Sequence, residues 1–253
     1  MGIVNVTPDS FSDGGRFLAP DDAIAHGRRL LVEGADWLDV GGESTRPGAQ
    51  LISVDEELDR VVPVVEALAA DGQVSIDTTK PEVARAAVTA GATMVNDVSS
   101  SLAEVCGELD VAWVAMHRQG ESATMQHDPT YDDVVAEVAA ALGESIAAGR
   151  SAGVTDIWVD PGIGFGKTLD HNLELLARLS SLVELGSPVL VGASRKQFIG
   201  ALHARADGVA SVEPDDRQEG SLAVATWAAH EGAAMVRVHD VAPTVQAMRV
   251  VAG

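Results

Sequence analysis

The chain has 253 residues and a formal net charge of −21, from 17 basic and 38 acidic residues. A field of this sign repels nucleic acid and anionic membrane surfaces, so we expect neither as a partner. Hydrophobic residues make up 46% of the chain, which suits a large buried core, but no apolar run approaches the length of a membrane span. The length fits a single α/β barrel.

The cysteine count and the N-terminus bear on the compartment. Cys106 is the only cysteine, which excludes an internal disulfide and predicts a small buried residue. No basic region precedes the first apolar run, so no secretory signal is predicted and we expect a cytoplasmic protein.

Eight short apolar runs recur along the chain, and each ends in a polar segment. Strands buried on both faces have this nearly continuous apolar character. The predicted strands are Gly2–Val6, Trp37–Val40, Val74–Ile76, Met94–Asn96, Ala112–Met116, Ile157–Val159, Val189–Val191 and Met235–Val238. The polar segments are NVTPDSFSDGG (5–15), GGESTRPG (41–48), IDTTKP (76–81), NDVSSS (96–101), MHRQG (116–120), DPGIGFGKT (160–168), GASRK (192–196) and RVHD (237–240).

Helical segments are predicted between the strands. They lie near Asp21–Glu33, Asp55–Ala70, Glu82–Ala90, Ala103–Leu109, Tyr131–Ala152, His171–Leu185, Gln218–Glu231 and Val241–Val251. Ser53 with Glu56, and Thr79 with Glu82, have the spacing of capping boxes. Four glycines stand where a helix ends shortly before a strand, which favours a left-handed backbone. They are Gly34, Gly91, Gly153 and Gly232.

This alternation predicts one α/β domain over residues 1–253. Eight strands that alternate with eight helices give parallel pairing with right-handed crossovers. Closure into a TIM (β/α)8 barrel is favoured, and an open doubly wound sheet is the alternative. In a barrel the active site lies at the carboxyl ends of the strands, which is where every polar segment falls.

Four strand-end residues are suited to hold a flat heterocycle by its edge. Asp77 and Asp160 offer carboxylate acceptors, Asn96 offers a donor and an acceptor, and Lys196 can donate to a ring carbonyl or nitrogen. A single strand-end Asp is as often a helix cap as a ligand, but four such residues on four strands favour a binding site.

A second group is suited to phosphate. Arg237 and His239 lie two apart at the eighth strand, so they point to the same side of it, at a place where barrels often bind phosphate. The alternative for His239 is a structural helix cap. Asn5, at the end of the neighbouring first strand, could supply one oxygen ligand to Mg²⁺ beside a phosphate.

The glycine-rich segment GIGFGK (162–167) lacks the spacing of a phosphate-binding P-loop. Its glycines are interpreted instead as letting the backbone pass close to a ligand, with Phe165 packed on a ring face. Met116, which precedes a polar loop, could line the same apolar pocket. No Ser-His-Asp or Cys-His triad can be read from the sequence.

Taken together, NVTPDSFSDGG and DPGIGFGK, supported by GGESTRPG and GASRK, resemble the dihydropteroate synthase family of pterin-binding enzymes. The resemblance covers the chain from Asn5 to Asp240. It implies a TIM-barrel transferase, often dimeric and inhibited by sulfonamides. Such an enzyme joins 6-hydroxymethyl-7,8-dihydropterin pyrophosphate to p-aminobenzoate with Mg²⁺, and releases dihydropteroate and pyrophosphate in folate biosynthesis.

The resemblance also implies roles for residues of this chain. Asp77, Asn96, Asp160 and Lys196 would bind the pterin, with Met116 and Phe165 lining its pocket and Arg237 stacked on it. Asn5, Arg237 and His239 would hold the pyrophosphate, with Asn5 on the metal. Thr45, Arg46 and Pro47 would close over p-aminobenzoate, and Asp13 would act with Arg46, Lys196, Arg237 and His239 in catalysis.

Some positions depart from the family pattern. Ser100 and Ser101 replace a Gly-Gly pair and predict a stiffer loop, Arg118 replaces an apolar residue, and Gln197 replaces a p-aminobenzoate contact. Few residues precede the first strand, so we expect the native start to lie upstream. The competing hypotheses are a methyltetrahydrofolate methyltransferase type of barrel and a non-catalytic pterin-binding paralogue.

Overall fold

The computed structural model describes residues 1–7, 20–44, 51–120 and 124–251. Its eight strands are parallel and short. They are β1 (Gly2–Asn5), β2 (Trp37–Gly41), β3 (Gln73–Asp77), β4 (Met94–Asp97), β5 (Ala112–Met116), β6 (Ile157–Asp160), β7 (Leu190–Val191) and β8 (Met235–Val236). All eight predicted strands are therefore confirmed, with small shifts at their ends.

The strands form a ring in chain order. Strands β1 to β6 pair as one sheet and β7 pairs with β8. Two parallel bridges join the edges of these sheets, Val159 with Val189 between β6 and β7, and Gly2 with Val238 between β8 and β1. The amide of Ile3 donates to Val238 O at 3.0 Å. The predicted barrel is confirmed, and the open sheet is not what the chain forms.

Helices cover the outside of the ring. They are α1 (Pro20–Val32), α2 (Val54–Ala69), α3 (Pro81–Thr89), α4 (Ala103–Leu109), α5 (Val134–Ser151), α6 (Leu169–Ala177), α7 (Ser180–Val183), α8 (Gln197–Asp207), α9 (Gln218–His230) and α10 (Val241–Val251), with a 3-10 turn at Pro214–Arg217. No helix in the described ranges is long and apolar enough to cross a membrane.

The helix boundaries correct three predictions. The segment predicted as one helix over His171–Leu185 is two helices, and α8 follows β7 where none was predicted. The Ser53 side chain accepts from the Glu56 amide as expected. The Thr79 cap is wrong, because α3 begins after Lys80 with Pro81 in its first turn, and proline fixes the start of a helix by its backbone angle.

The four predicted helix-ending glycines all have positive φ, between 87° and 114°. This left-handed backbone turns the chain sharply from helix into strand with no Cβ clash. Cys106 is buried in α4, as predicted.

The core has two parts. The larger one lies between the strands and the surrounding helices, and a smaller cluster consists of Met1, Met94, Ala112, Val114 and Leu190. Met94 is in register with Ser75 and Val114 with Asn96, so these apolar side chains share the inward face of the strands with the polar ones. The small cluster therefore fills the barrel beneath the carboxyl ends of the strands.

Candidate active site

Five side chains meet at the carboxyl ends of the strands and form what we call the mouth floor: Asp77, Asn96, Asp160, Lys196 and Arg237. Asp77 ends β3 and is in register with Asn96 on β4, and Asp160 ends β6. The two aspartates and Asn96 are 9%, 5% and 4% exposed. The sequence prediction that these strand ends converge is confirmed by this geometry.

Asp77 has one oxygen paired and one unpaired. Its Oδ2 accepts from Arg237 Nη2 at 2.9 Å, while its Oδ1 is buried with no hydrogen-bond partner among the described residues. Burial raises the pKa of Asp77 to about 7 against the opposing charge of Arg237, and Asp39 adds to the rise. A buried acceptor without a partner is costly, so Asp77 is prepared for a donor that the described residues do not supply.

Asp160 is held by its own loop. Its Oδ1 accepts from the Gly162 amide at 2.7 Å, and burial raises its pKa against the charge of Lys196. Gly192 at the end of β7 leaves space beside it, since a Cβ there would lie 3.6 Å from Asp160 Oδ2 and 3.8 Å from the Arg237 side chain. The space between Asp160 and Arg237 thus depends on a residue without a side chain.

Lys196 reaches the floor from the β7 end. Its ammonium donates to Ile163 O and lies 4.3 Å from the centre of the Phe165 ring. Burial lowers the pKa of Lys196 to about 8 against the charge of Asp160. One carbonyl and one aromatic face leave part of its donor capacity for a further acceptor.

The segment 161–168, called here the β6 loop, is wrapped around Lys167. Its Nζ lies 3.0 Å from Gly162 O, Phe165 O and His117 Nδ1. Three acceptors require three N–H donors, which only the ammonium supplies, although burial lowers the Lys167 pKa to about 7. Burial and Lys167 in turn lower the pKa of His117 to about 3, so His117 is neutral and accepts at Nδ1.

The glycines of the β6 loop correct a prediction. A Cβ on Gly162 would lie 1.9 Å from His117 O, and one on Gly166 would lie 2.2 Å from Gln119 O. These two glycines therefore allow contact with the loop after β5, and not with a ligand as the sequence suggested. The loop is not a P-loop, since its carbonyl oxygens at Gly162 and Phe165 point inward to Lys167, where a P-loop directs backbone N–H groups at phosphate.

His239 and Asn5 flank the floor. The Ser194 hydroxyl lies 2.9 Å from His239 Nδ1 and also accepts from the His239 amide at 3.2 Å. Asn5 ends β1, which is joined to the β8 side of the ring through Gly2 and Val238. Arg237 contacts Asp77, whereas His239 contacts Ser194.

The donor set fits a lightly held Mg²⁺ ion. Among the described residues no group of three or more His, Cys, Asp and Glu side chains could hold a metal. A single hard amide oxygen from the half-buried Asn5, completed by phosphate oxygens of a substrate, matches the way Mg²⁺ is bound.

Four of the predicted residues fall outside the described part of the chain: Asp13, Thr45, Arg46 and Pro47. Met116 is buried at the end of β5, in register with Asp160, where the prediction put it.

The departures from the family pattern surround the mouth. Ser100, with φ of 54°, donates to Met116 O at 2.9 Å, and Ser99 and Ser101 hydroxyls lie 2.7 Å apart. Gln197 is exposed at the start of α8. Ser100 thus ties its loop to β5, while the other two serines contact each other within the loop.

Asp97 belongs to the scaffold. Its two oxygens accept from the Ser99 and Leu102 amides and from Trp113 Nε1, at 2.8 to 3.2 Å. Although it follows Asn96 directly, it points away from the floor and caps the start of α4.

Sequence reasoning missed Asp39. It lies in the middle of β2, is fully buried, and contacts Asn96 and Arg237. The signal was available, because an aspartate inside the apolar strand WLDVG must have a polar partner. Lys167 was missed as well; a lysine among glycines gives no comparable sign.

The sequence of the whole chain is similar to that of a known enzyme family. Residues 1–239 match the family model described as "Pterin binding enzyme". The chain belongs to the pterin-binding enzyme family. This agrees with a barrel whose mouth offers buried carboxylates to a donor-rich ring.

Members of this family with established names are close in sequence and structure. The dihydropteroate synthase of Mycobacterium leprae is 50% identical, over 99% of this chain and 91% of its own length. That of Xanthomonas albilineans, solved with 4-aminobenzoic acid, is 51% identical with a TM-score of 0.90, over 98% of this chain and 90% of its own.

Two further structures extend the comparison to product and inhibitor. The Xanthomonas albilineans enzyme in complex with 7,8-dihydropteroate has a TM-score of 0.87 and 48% identity, over 98% of this chain and 90% of that one. The Yersinia pestis dihydropteroate synthase, solved with a sulfonamide drug, has a TM-score of 0.92 and 46% identity, over 99% of this chain and 92% of that one.

Proposed function

We propose that this pterin-binding enzyme is a dihydropteroate synthase of folate biosynthesis. It condenses 6-hydroxymethyl-7,8-dihydropterin pyrophosphate with p-aminobenzoate and releases 7,8-dihydropteroate and pyrophosphate. The observation that carries the proposal is the buried Oδ1 of Asp77, which has no hydrogen-bond partner among the described residues, at the end of the barrel where Asn96 and Asp160 also lie. Relatives named dihydropteroate synthase match nearly the whole chain at about 50% identity.

The mouth floor binds the pterin. Asp77 and Asp160 accept from ring N–H groups, and Lys196 donates to a ring carbonyl or nitrogen. Phe165 and Met116 line the pocket, and Arg237 stacks on the ring. Gly192 leaves the space that the ring requires between Asp160 and Arg237.

Arg237, His239 and Asn5 hold the pyrophosphate. The Ser194 hydroxyl already accepts from the His239 amide, so its proton can point to His239 Nδ1, and Nε2 of the neutral ring then carries the donor. Asn5, together with substrate oxygens, would hold Mg²⁺, and the bound ion would supply positive charge to neutralise the leaving group.

The substitution needs no protein nucleophile. The C–O bond of the ester breaks and its electron pair leaves with pyrophosphate, which Arg237 and His239 stabilise by charge and hydrogen bonds. The cation left on the pterin methylene is favoured by the ring that Asp77 and Asp160 hold. The amine of p-aminobenzoate then forms the C–N bond and releases a proton. Cys106 takes no part, because burial raises its pKa to about 12.

Asp13, Thr45, Arg46 and Pro47 complete the site. We assign Thr45, Arg46 and Pro47 to p-aminobenzoate, and Asp13 with Arg46 to catalysis. Their shared task is to exclude water, which would otherwise capture the cation.

The remaining partners follow from this assignment. We infer that sulfonamides inhibit the enzyme by occupying the p-aminobenzoate site, which the Yersinia pestis complex with such a drug supports. We also assign a homodimer and a cytoplasmic location. Light scattering of the purified protein would test the dimer by its mass.

The test is pyrophosphate release from the pterin pyrophosphate ester with Mg²⁺, with and without p-aminobenzoate. We expect release that depends on p-aminobenzoate, with dihydropteroate detected by mass spectrometry. Pterin binding without product would instead indicate a binding paralogue.

A further inference from the structure

Asp39 is a fully buried carboxylate that reaches across the barrel. It lies on β2, whose neighbours are β1 and β3. Its Oδ2 nevertheless accepts from Asn96 Nδ2 on β4 at 2.9 Å and from Arg237 Nε, just after β8, at 2.5 Å. Its partners therefore belong to strands that are not beside its own, and both are residues of the mouth floor.

The first contact fixes which end of Asn96 faces a ligand. An ionised carboxylate can only accept, so the amide nitrogen of Asn96 must face Asp39. The amide oxygen consequently lies on the other side of the planar group. Without Asp39, the two ends of this amide could exchange places.

The second contact anchors the guanidinium of Arg237. Arg237 Nη2 binds Asp77 at 2.9 Å while Nε binds Asp39. Because the ring would bind Oδ1 of Asp77 and Arg237 binds Oδ2, the two would share this carboxylate. Asp39 lies one layer deeper, in register with Ser75, and holds Nε through a second carboxylate.

We propose that Asp39 is a positioning residue that orients the Asn96 amide and anchors Arg237 through its Oδ2, while its buried Oδ1 has no hydrogen-bond partner among the described residues. The proposal rests on the proposed function and deepens it. Together with Asp77 and Asp160, an Asn96 held in this way presents a third acceptor, which makes the pocket specific for a heterocycle with a donor-rich edge.

A double-mutant cycle tests this assignment. The four proteins are the wild type, Asp39→Asn, Asn96→Asp and the double variant, each checked for folding by thermal unfolding. The measured quantity is the Kd of 6-hydroxymethyl-7,8-dihydropterin by calorimetry. Asn96→Asp alone places two carboxylates in contact and should weaken binding at least about tenfold. Asp39→Asn alone should weaken it less, because the amide oxygen at position 39 can still accept from Asn96 Nδ2 and Arg237 Nε and only the charge is lost.

The double variant gives the decisive comparison. An amide at position 39 can donate to the carboxylate at position 96, which removes the repulsion between two carboxylates, although its NH₂ group then faces Arg237 Nε. Asn96→Asp should therefore weaken pterin binding at least about threefold less in the D39N background than in the wild type. If Asp39 did not act on the group at position 96, the two losses would be equal.

Ser75→Ala is the matched control. Ser75 is the register partner of Asp39 on β3, is fully buried, and its hydroxyl has no partner among the described residues. Its removal should leave the Kd unchanged. An Asn96→Asp effect of the same size in both backgrounds would overturn the positioning role. Failure of the wild type to bind the pterin would overturn the proposed function, and the role of Asp39 with it.

Discussion

The mouth floor and the β6 loop lie side by side, and both contain a buried lysine, but they differ in how far their polar groups are satisfied. Lys167 in the β6 loop has three acceptors at 3.0 Å. Lys196 in the floor has one carbonyl and the face of Phe165. The floor also contains an unpaired buried oxygen of Asp77. The acceptors around Lys167 are satisfied within the loop and hold the fold, whereas the second oxygen of Asp77 and the remaining donor capacity of Lys196 can be satisfied by a ligand.

The largest expected effect is a loss of pterin affinity when a residue of the mouth floor is substituted. Asp160→Asn can keep the hydrogen bond from the Gly162 amide, but it replaces the second oxygen by an NH₂ group that faces ring N–H donors. Pterin affinity should fall by at least about 100-fold, since a bond to a charged group is replaced by opposed donors. Calorimetric titration checks this, and unchanged affinity would remove Asp160 from the site.

Substitutions of the two buried lysines should separate a loss of stability from a loss of pterin affinity. Lys167→Met leaves three buried acceptors without a donor, and the free energy of unfolding should fall by about 3 kcal/mol. Lys196→Met removes a buried charge with fewer partners and should cost little stability but most of the pterin affinity. Urea unfolding and calorimetry of both variants would measure the two effects, and equal losses of stability would contradict the distinction.

A smaller effect is expected at Gly192. Alanine there meets only ordinary contacts at 3.6 to 3.8 Å, so the protein should fold normally. Its methyl group would take space between Asp160 and Arg237, and pterin affinity should fall about tenfold, or about 1.4 kcal/mol. A Kd equal to that of the wild type would show that the ring does not lie beside Gly192.

A fourth effect is a pH dependence of stability. Asp77 has a folded pKa raised from 3.8 to about 7, so between these values the folded state holds a proton that the unfolded state has released. This contribution is complete below 3.8 and is lost as the pH rises to about 7, by up to about 1.4 kcal/mol per pH unit. Unfolding of the ligand-free protein at several pH values, compared with Asp77→Asn, should show a shallower slope in the variant.

Much of the fold could be predicted because its signals are local. The eight strands are apolar runs that end in polar segments, and the glycines before them have the positive φ that the turn requires. Helix α8 was missed because Gly200 stands in its middle and its surface is mixed. The Thr79 cap failed because Pro81 decides where α3 begins.

The sequence predicted which residues form the site, but not the hydrogen bonds that connect them. Asp77, Asn96 and Asp160 stand at strand ends, where the sequence alone places them together. Asp97 is also at a strand end, and only the structure shows that it caps α4. The link from Asp39 to Arg237 joins residues 198 positions apart, which no spacing along the chain reveals.

One pair of variants tests the central claim most directly. Asp77 and Asp97 end neighbouring strands; Asp77 has an unpaired buried oxygen, and both oxygens of Asp97 are satisfied. Asp77→Asn should lose at least about 100-fold in pterin affinity with an unchanged or higher thermal midpoint. Asp97→Asn should keep the affinity and lose about 2 kcal/mol of stability, because an NH₂ group would face the donors of Leu102 or Trp113. The reverse pattern, with stability lost at Asp77 and affinity lost at Asp97, would contradict the account.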